Sequence, residues 1–196
     1  MPFERGSFTV AVFKLNGPWP EDALERFAAH RAGTLDGVKD DVQIGWTTGH
    51  CLLDTNIEEQ NVIAGSCWYL NLRRAERKIP SALLNAIIRR EEIVHMRANN
   101  LDFVPSKVRR EIKAQAVEQY LMKMPPAIGG IPMVYDPAAK LLYVGTGSPK
   151  QIEEFIGFFF QTMELEPLQV TPGMMLNTEF GKLETDLPVL PVNADE

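Results

Sequence analysis

Hydrophobic and polar residues alternate in the first part of the chain, where runs rich in valine and phenylalanine are separated by turn residues. This period of two predicts strands at Ser7–Leu15, Val42–Thr47 and Val62–Arg73. Between the first two runs, Glu21–Ala32 has apolar residues at helical spacing and acidic residues at its start, which predicts a helix. We therefore expect a β-α-β-β unit in which one helix covers the sheet.

The hydrophobic period lengthens to about 3.6 residues in the middle of the chain. One helix is predicted to begin at Pro80–Ser81 and to end at Asn99–Asn100, and a second to run from Pro105–Ser106 to about Met122. The apolar stripe of the second helix consists of Val108, Ile112, Ala116, Tyr120 and Met124.

Strand signals return after the second helix. A hairpin is predicted at Ile131–Tyr135 and Leu141–Gly145, then a helix from Ser148 to about Met163 and a short strand at Leu168–Thr171. The expected fold is α+β, with two small β-sheet lobes, each backed by a helix, joined by a central pair of charged helices.

The elements divide the chain into four predicted segments. They are an N-terminal β-α-β-β lobe at residues 6–75, the central basic helices at 80–124, a C-terminal β-β-α-β lobe at 128–172, and an extended acidic tail at 173–196. The tail is rich in proline and acidic residues and has lost the hydrophobic period, so no packed core is expected there.

Charge is distributed unevenly along the chain. The stretch from Arg73 to Lys123 contains twelve lysines and arginines against six acidic residues, although the net charge of the whole chain is −6. A local excess of cations in an acidic protein favours a polyanion, such as nucleic acid, as the partner. The alternative is a pair of solvated helices whose charges keep the protein in solution.

The second helix places its cations at its N-terminal end, at Lys107, Arg109, Arg110 and Lys113. Cations there oppose the helix dipole at a cost of about 0.3–1 kcal/mol each where exposed. An unfavourable local placement favours a role in binding over a role in solubility alone. By contrast, Arg73–Lys78 is interpreted as a structural strand-to-helix turn.

Candidate catalytic residues do not cluster in the sequence. His30, His50 and His95 are far apart, and the adjacent His50 and Cys51 would point to opposite faces of a strand. His-Glu-x-x-His and Cys-x-x-Cys motifs are absent from the sequence. We expect neither a catalytic residue nor a metal site, and no enzymatic activity.

Three other features have a structural interpretation. The segment 145–150 lacks the spacing of a phosphate-binding loop, and the aromatic run Phe155–Phe160 is typical of a core or an interface. The spacing of the aspartates does not predict one magnesium ligand set; they are Asp36, Asp40, Asp41, Asp54 and Asp136. No cofactor is expected.

Cellular location is predicted from what the sequence lacks. No apolar run approaches the roughly 20 residues that span a bilayer. The N-terminus does not have the pattern of a signal peptide, and Cys51 and Cys67 do not form a disulfide framework. We expect a cytoplasmic protein with no membrane contact.

Several short motifs occur in the order typical of a known family. They begin with Ile44-Gly45-Trp46 and a strand at 63–72 that leads into Arg-x-Glu-x-Lys-Ile-Pro at 74–80. A hairpin at 133–144, a helix start at 147–154 and the segment Leu165–Pro172 follow. Over about residues 6–172 the chain resembles the recombination-associated RdgC family, and the shared order of the motifs carries the resemblance.

The resemblance implies a function. RdgC proteins are cytoplasmic, nucleoid-associated α+β proteins without a cofactor; they form ring-shaped homodimers around DNA, with little sequence preference, and restrain RecA-type recombinase. It further implies that cations of the matching charged helices face DNA, namely Arg89, Arg90, Arg97, Lys107, Arg109, Arg110 and Lys113.

The chain departs from the family in two places. It resembles a shortened member that lacks the C-terminal third, and Met124–Gly130 replaces the family's Leu-Pro-Arg-Ala-Phe segment. Ring closure is therefore expected to differ or to be absent. The family also carries the label of an exonuclease, which none of these residues supports.

We therefore expect a non-enzymatic, sequence-tolerant DNA-binding protein that modulates recombination or replication. It would be a homodimer that binds duplex DNA, with single-stranded DNA as a second form. Two alternatives stay open: a magnesium-dependent exonuclease, and a protein-interaction module whose basic face binds an acidic protein.

Overall fold

A computed structural model describes residues 9–39 and 41–170 of the chain. Within these ranges the backbone forms seven strands, five α-helices and a 3-10 turn at Leu35–Gly37. The strands are β1 Ala11–Leu15, β2 Gln43–Thr48, β3 Ile63–Ala64, β4 Cys67–Glu76, β5 Ala127–Asp136, β6 Leu141–Val144 and β7 Pro167–Gln169. The helices are α1 Ala23–Ala29, α2 Glu59–Val62, α3 Ser81–Asn99, α4 Ser106–Leu121 and α5 Pro149–Met163.

All seven strands belong to one antiparallel sheet. Its order is β2-β4-β5-β6-β1-β7, and β3 pairs with the start of β4. The predicted α+β class is confirmed, but the expectation of two separate small sheets is wrong. Strands β4 and β5 pair from Trp68 opposite Tyr135 to Glu76 opposite Ala127, and this ladder joins the strands of both predicted lobes. The finer division of the chain into domains remains a prediction.

Strand β5 is longer than predicted, and this explains the single sheet. Gly129 and Gly130 lie just before the predicted strand Ile131–Tyr135, but they pair with Arg74 and Arg73 within the ladder. A Cβ atom at Gly130 would collide with the side chain of Leu52. A larger residue at position 130 would have to displace this leucine side chain, so the glycine reflects close packing against the strand and not a turn of the chain.

The main core lies between one face of the sheet and helices α1 and α5. Its most deeply buried side chains are fully inaccessible to solvent: Phe13, Phe27, Trp46, Leu70, Met133, Leu142, Val144, Phe155 and Phe159. The indole nitrogen of Trp46 donates a 2.8 Å hydrogen bond to the hydroxyl of Thr162 on α5. The core interpretation of the aromatic run is confirmed for Phe155 and Phe159, whereas Phe160 is exposed.

Helices α3 and α4 form an antiparallel pair inserted between the paired ends of β4 and β5, and we call this pair the helical arm (residues 81–121). The two helices pack chiefly against each other. Their buried residues are only Ile87, Glu92, Ile112 and Ala116. The predicted central helices therefore do not link two lobes, because the strands on either side of them are hydrogen-bonded partners.

The predicted strand Val62–Arg73 is divided in two. Gly65 adopts a φ of 64°, and the chain turns there between β3 and β4. Glycine has no Cβ and reaches this left-handed conformation without strain, which allows the turn. The alternation of hydrophobic and polar residues continues through this hairpin turn, and for that reason the sequence predicted a single strand. The predicted acidic tail at 173–196 lies outside the described residues.

Among residues 9–39 and 41–170, no helix combines the length and the apolar character that a membrane-spanning helix requires.

Candidate nucleic-acid interface

All seven cations predicted to face DNA lie on the helical arm. Arg89, Arg90 and Arg97 belong to α3, and the other four, Lys107, Arg109, Arg110 and Lys113, belong to α4. Each of the seven residues is exposed to solvent. The structure therefore brings residues from two separate sequence segments into one unit of the fold.

A buried carboxylate connects the two helices of the arm. The side chain of Glu92 is only 4% exposed, and it accepts hydrogen bonds from Nε of Arg109 at 2.5 Å and from Nη1 of Arg89 at 3.4 Å. The hydrogen bond from Arg109 is the main reason that the pKa of Glu92 is lowered, although burial acts in the opposite direction. Arg89 and Arg109 thus have an internal partner on the arm.

Glu92 was missed in the sequence, where it counted only as one of six acids in the basic stretch. Its spacing of three residues from Arg89 is a signal for an ion pair on one helix. The contact with Arg109, seventeen positions later, depends on the packing of α3 against α4. A helical period alone could not reveal it.

Arg90 also has partners within the arm. Its guanidinium donates to the carboxylate of Glu91 at 2.7 Å and to the hydroxyl of Tyr120 on α4 at 3.1 Å. Among the described residues, the remaining four cations have no hydrogen-bond or ion-pair partner: Arg97, Lys107, Arg110 and Lys113. These four are available to an external anion.

Two of the four unpaired cations border a groove on α4. The groove has a volume of about 680 Å³; its charged lining residues are three cations, Lys39, Arg110 and Lys113, and one acid, Glu118, and its apolar lining includes Val117 and Leu121. Apolar walls with charged edges lower the local dielectric and strengthen attraction to an anion.

In contrast to the exposed cations of the arm, Arg73 is buried in the sheet. It is 2% exposed, and its guanidinium donates to the carbonyl oxygens of Gly33 and Leu52 and to the side-chain oxygen of Gln43. Burial lowers the pKa of Arg73. This arginine holds β4 to neighbouring segments and cannot reach a ligand at the surface.

The other cations at the end of β4 bond to the protein itself. Arg74 donates to Glu154 on α5 at 2.6 Å, and Lys78 lies 3.5 Å from Glu76. Arg77 donates to the carbonyl oxygens of Val38 and Met124, which fixes the base of the arm. These contacts agree with a structural role for Arg73–Lys78, but the expectation of a turn was wrong for residues 73–76, which belong to β4 and pair with β5.

The remaining candidates for chemistry stay apart. His50 and Cys51 are exposed at the turn after β2, and the sulfur of Cys51 accepts a hydrogen bond from the amide of Leu53. Within residues 9–39 and 41–170, no three histidine, cysteine or acidic side chains are grouped so that they could hold a metal ion. Asp40 lies outside the described residues.

The segment 145–150, which lacks the spacing of a phosphate-binding loop, connects the end of β6 to the start of α5. The hydroxyl of Thr146 accepts a 3.1 Å hydrogen bond from the amide of Ser148 and donates to Gln151, just before α5 begins at Pro149. The hydroxyl of Thr146 is thus hydrogen-bonded to neighbouring residues of the same connection. This arrangement is typical of a strand-to-helix connection.

Comparison with known proteins adds one family. The family model described as "Putative exonuclease, RdgC" matches residues 9–179, which is most of the chain. No curated protein sequence matches. The match covers nearly the same range as the motifs at 6–172.

Proposed function

The chain belongs to the RdgC family, and on that premise we propose that it is a non-enzymatic, sequence-tolerant DNA-binding protein of the recombination-associated type. The helical arm would supply the contacts to DNA. One observation carries the proposal: among the described residues, four arm cations have no partner within the protein, namely Arg97, Lys107, Arg110 and Lys113.

The expected mode of binding is contact with phosphates. Lysine and arginine side chains neutralise phosphate charge and release condensed counterions, which supplies affinity without reading the base sequence. The net charge of −6 for the whole protein disfavours approach through other surfaces and directs the polyanion to the arm. Sequence tolerance follows because phosphates are the same at every base pair.

A salt series of binding measurements tests the proposal. About four neutralised phosphates, one for each unpaired cation of the arm, would give a slope of about −3.6 for the logarithm of the binding constant against the logarithm of salt concentration. The double variant Arg110→Ala/Lys113→Ala should reduce the magnitude of this slope by about 2. Fluorescence anisotropy on duplex and single-stranded oligonucleotides gives both values.

The control removes the same charge elsewhere. Lys14 on β1 and Lys150 on α5 are exposed and lie off the arm, so Lys14→Ala/Lys150→Ala should leave the slope unchanged. Equal slopes for the parent and both variants would contradict a role for the arm. If no DNA form binds at low salt, an acidic protein becomes the better candidate for the partner.

A second function is favoured by the description of the family itself. That description names an exonuclease, and the corresponding test is the loss of end-labelled nucleotides from DNA with magnesium present or chelated. On our proposal the DNA stays intact in both conditions. Degradation that a chelator abolishes would replace the non-enzymatic assignment by a magnesium-dependent exonuclease.

The assembly state is part of the same proposal. We expect a homodimer in the cytoplasm, associated with the nucleoid, because this is what the family resemblance implies. Analytical ultracentrifugation across a range of protein concentrations measures the assembly directly. A monomer at all concentrations would remove the dimer from the proposal and leave the arm as an independent DNA contact.

A further inference from the structure

The turn between α3 and α4 exposes an aromatic ring. Phe103 is 71% exposed, more than any other large hydrophobic side chain among the described residues, and the nearby Leu101 is 41% exposed. Placing a phenyl ring in water forgoes roughly 1.5–3 kcal/mol that burial would contribute. The ring therefore does little for the stability of the arm, and its exposed face is open to a ligand.

The turn that presents Phe103 is defined by backbone hydrogen bonds. Asn100 has φ 50° and ψ 47°, and the amide of Leu101 donates to the carbonyl oxygen of Met96 at 2.9 Å, which closes the end of α3. On the other side, the amide of Arg109 donates to the carbonyl oxygen of Pro105 at 3.0 Å. Only a short segment separates these two fixed points, so the ring is held at the tip of the arm.

Unpaired cations stand on both sides of this ring in the sequence. Arg97 lies in the last turn of α3 and Lys107 in the first turn of α4, and neither has a hydrogen-bond or ion-pair partner among the described residues. The start of α4 also has no side-chain cap, which leaves its positive dipole uncompensated at the tip. One acid, Asp102, is present in the turn.

An exposed ring with unpaired cations on either side along the chain matches a ligand that alternates flat apolar groups with anions. Nucleic acid has this chemistry where its bases are unstacked, since a base then offers an open π-face beside a phosphate. An intact duplex hides those faces, and a ring can reach them only by entering a base step and partly unstacking it. A wholly apolar protein partner would leave the two cations without an anion.

We propose that Phe103 is a base-contacting residue that stacks on an unpaired base, while Arg97 and Lys107 hold the adjacent phosphates. The preferred substrate class is thus DNA with single-stranded or unstacked bases. This inference rests on the proposed DNA-binding function and deepens it. The cations on the helices of the arm bind phosphates, and Phe103 at the tip makes binding selective for unstacked over stacked bases.

The test compares Phe103→Ala with Phe160→Ala on the full chain. Phe160 is a matched control because it is 53% exposed and lies on α5, away from the arm. Loss of one base–aromatic contact should weaken binding to a single-stranded oligonucleotide by roughly five- to a hundredfold, with little change for intact duplex. Phe103→Trp should restore the affinity, and Phe160→Ala should match the parent.

Two further readouts separate this contact from charge. The salt slope of Phe103→Ala should equal that of the parent, because no phosphate contact is lost. A 2-aminopurine base in the oligonucleotide should change its fluorescence on binding the parent and not on binding Phe103→Ala.

The outcomes separate the two levels of the proposal. If the parent binds DNA with a steep salt slope and Phe103→Ala binds single strands equally well, the base contact is overturned and the proposed function stands. Equal losses for single-stranded and duplex DNA would also overturn it. If the parent binds neither form at low salt, the proposed function fails and the base contact fails with it.

Discussion

Arg73 in the sheet is 2% exposed and donates to three acceptors, whereas Arg110 on the helical arm has no partner among the described residues. Both belong to the basic stretch of the chain and carry the same charge. The difference between them lies entirely in the surroundings. In the sheet a buried arginine bonds to acceptors of neighbouring segments, and on the arm an exposed arginine is left for a ligand.

The two regions also differ in how they are held together. The sheet, α1 and α5 share a core of fully buried aromatic and aliphatic side chains, while the arm buries four residues, one of which is the carboxylate of Glu92. A region with few buried apolar contacts contributes less to global stability. The arm is therefore a region where sequence changes should affect binding more than folding.

The largest effect should come from the core of the sheet. Trp46→Ala removes a fully buried ring and its hydrogen bond to Thr162, and we expect the free energy of unfolding to fall by about 3–5 kcal/mol. Val94→Ala truncates a side chain on α3 that is 56% exposed, with an expected loss below about 0.5 kcal/mol. Urea denaturation followed by circular dichroism measures both. Similar losses in the free energy of unfolding for the two variants would mean that the arm is part of the hydrophobic core.

A smaller effect distinguishes the two arginines directly. Arg73→Met should lower the free energy of unfolding by about 1.5–3 kcal/mol, because it removes a buried guanidinium whose hydrogen bonds tie β4 to the carbonyl oxygens of Gly33 and Leu52. Arg110→Met makes the same chemical change on the arm and should stay within about 0.5 kcal/mol.

Urea denaturation of the two methionine variants, each measured beside the parent, checks this pair. A loss at Arg110 as large as that at Arg73 would contradict the assignment of the arm cation to binding. In the same variants, only Arg110→Met should lower affinity for DNA.

The smallest expected effect concerns the carboxylate of Glu92, which links the two helices of the arm. The pKa of Glu92 in the folded protein lies below its ordinary value. The ionised carboxylate therefore contributes fully to the free energy of unfolding above about pH 4.3, and this contribution is lost as the pH falls through the lower pKa of the folded state. Glu92→Gln should cost about 1–2 kcal/mol near neutral pH and should lose less stability than the parent below about pH 4.

The pH dependence is measured as urea midpoints from near neutral to acidic pH. Glu111→Gln is the control, since Glu111 is exposed on α4 and should behave as the parent does. If the midpoints of Glu92→Gln fall with acid as steeply as those of the parent, the link between α3 and α4 does not depend on this carboxylate.

Most helices and strands could be predicted because their signals are local. The helix starts at Ser81, Ser106 and Pro149 follow from proline and serine chemistry close to each boundary. The single sheet could not be predicted in this way. It depends on the pairing of Gly129 and Gly130 with strand β4, and a glycine pair has the same appearance in a turn and in a strand that another segment approaches closely.

For a similar reason, the sequence predicted only part of the candidate interface. Counting charges located the basic region, but the sequence could not separate Arg89 and Arg109, which bond to Glu92, from Arg110 and Lys113, which have no described partner. An ion pair within one helix leaves a sequence signal. A contact between two helices leaves none.

The sequence by itself determined the type and order of the elements and the basic character of the middle of the chain, because hydrophobic period, capping and charge are properties of neighbouring residues. The tertiary structure alone decided that two predicted sheets are one, that Arg73 is internal, and that four cations and Phe103 are left open on the arm. The physical reason is that strand pairing and burial arise between residues far apart in the chain. The same charged side chain is desolvated in one place and solvated in another only after folding brings its surroundings together.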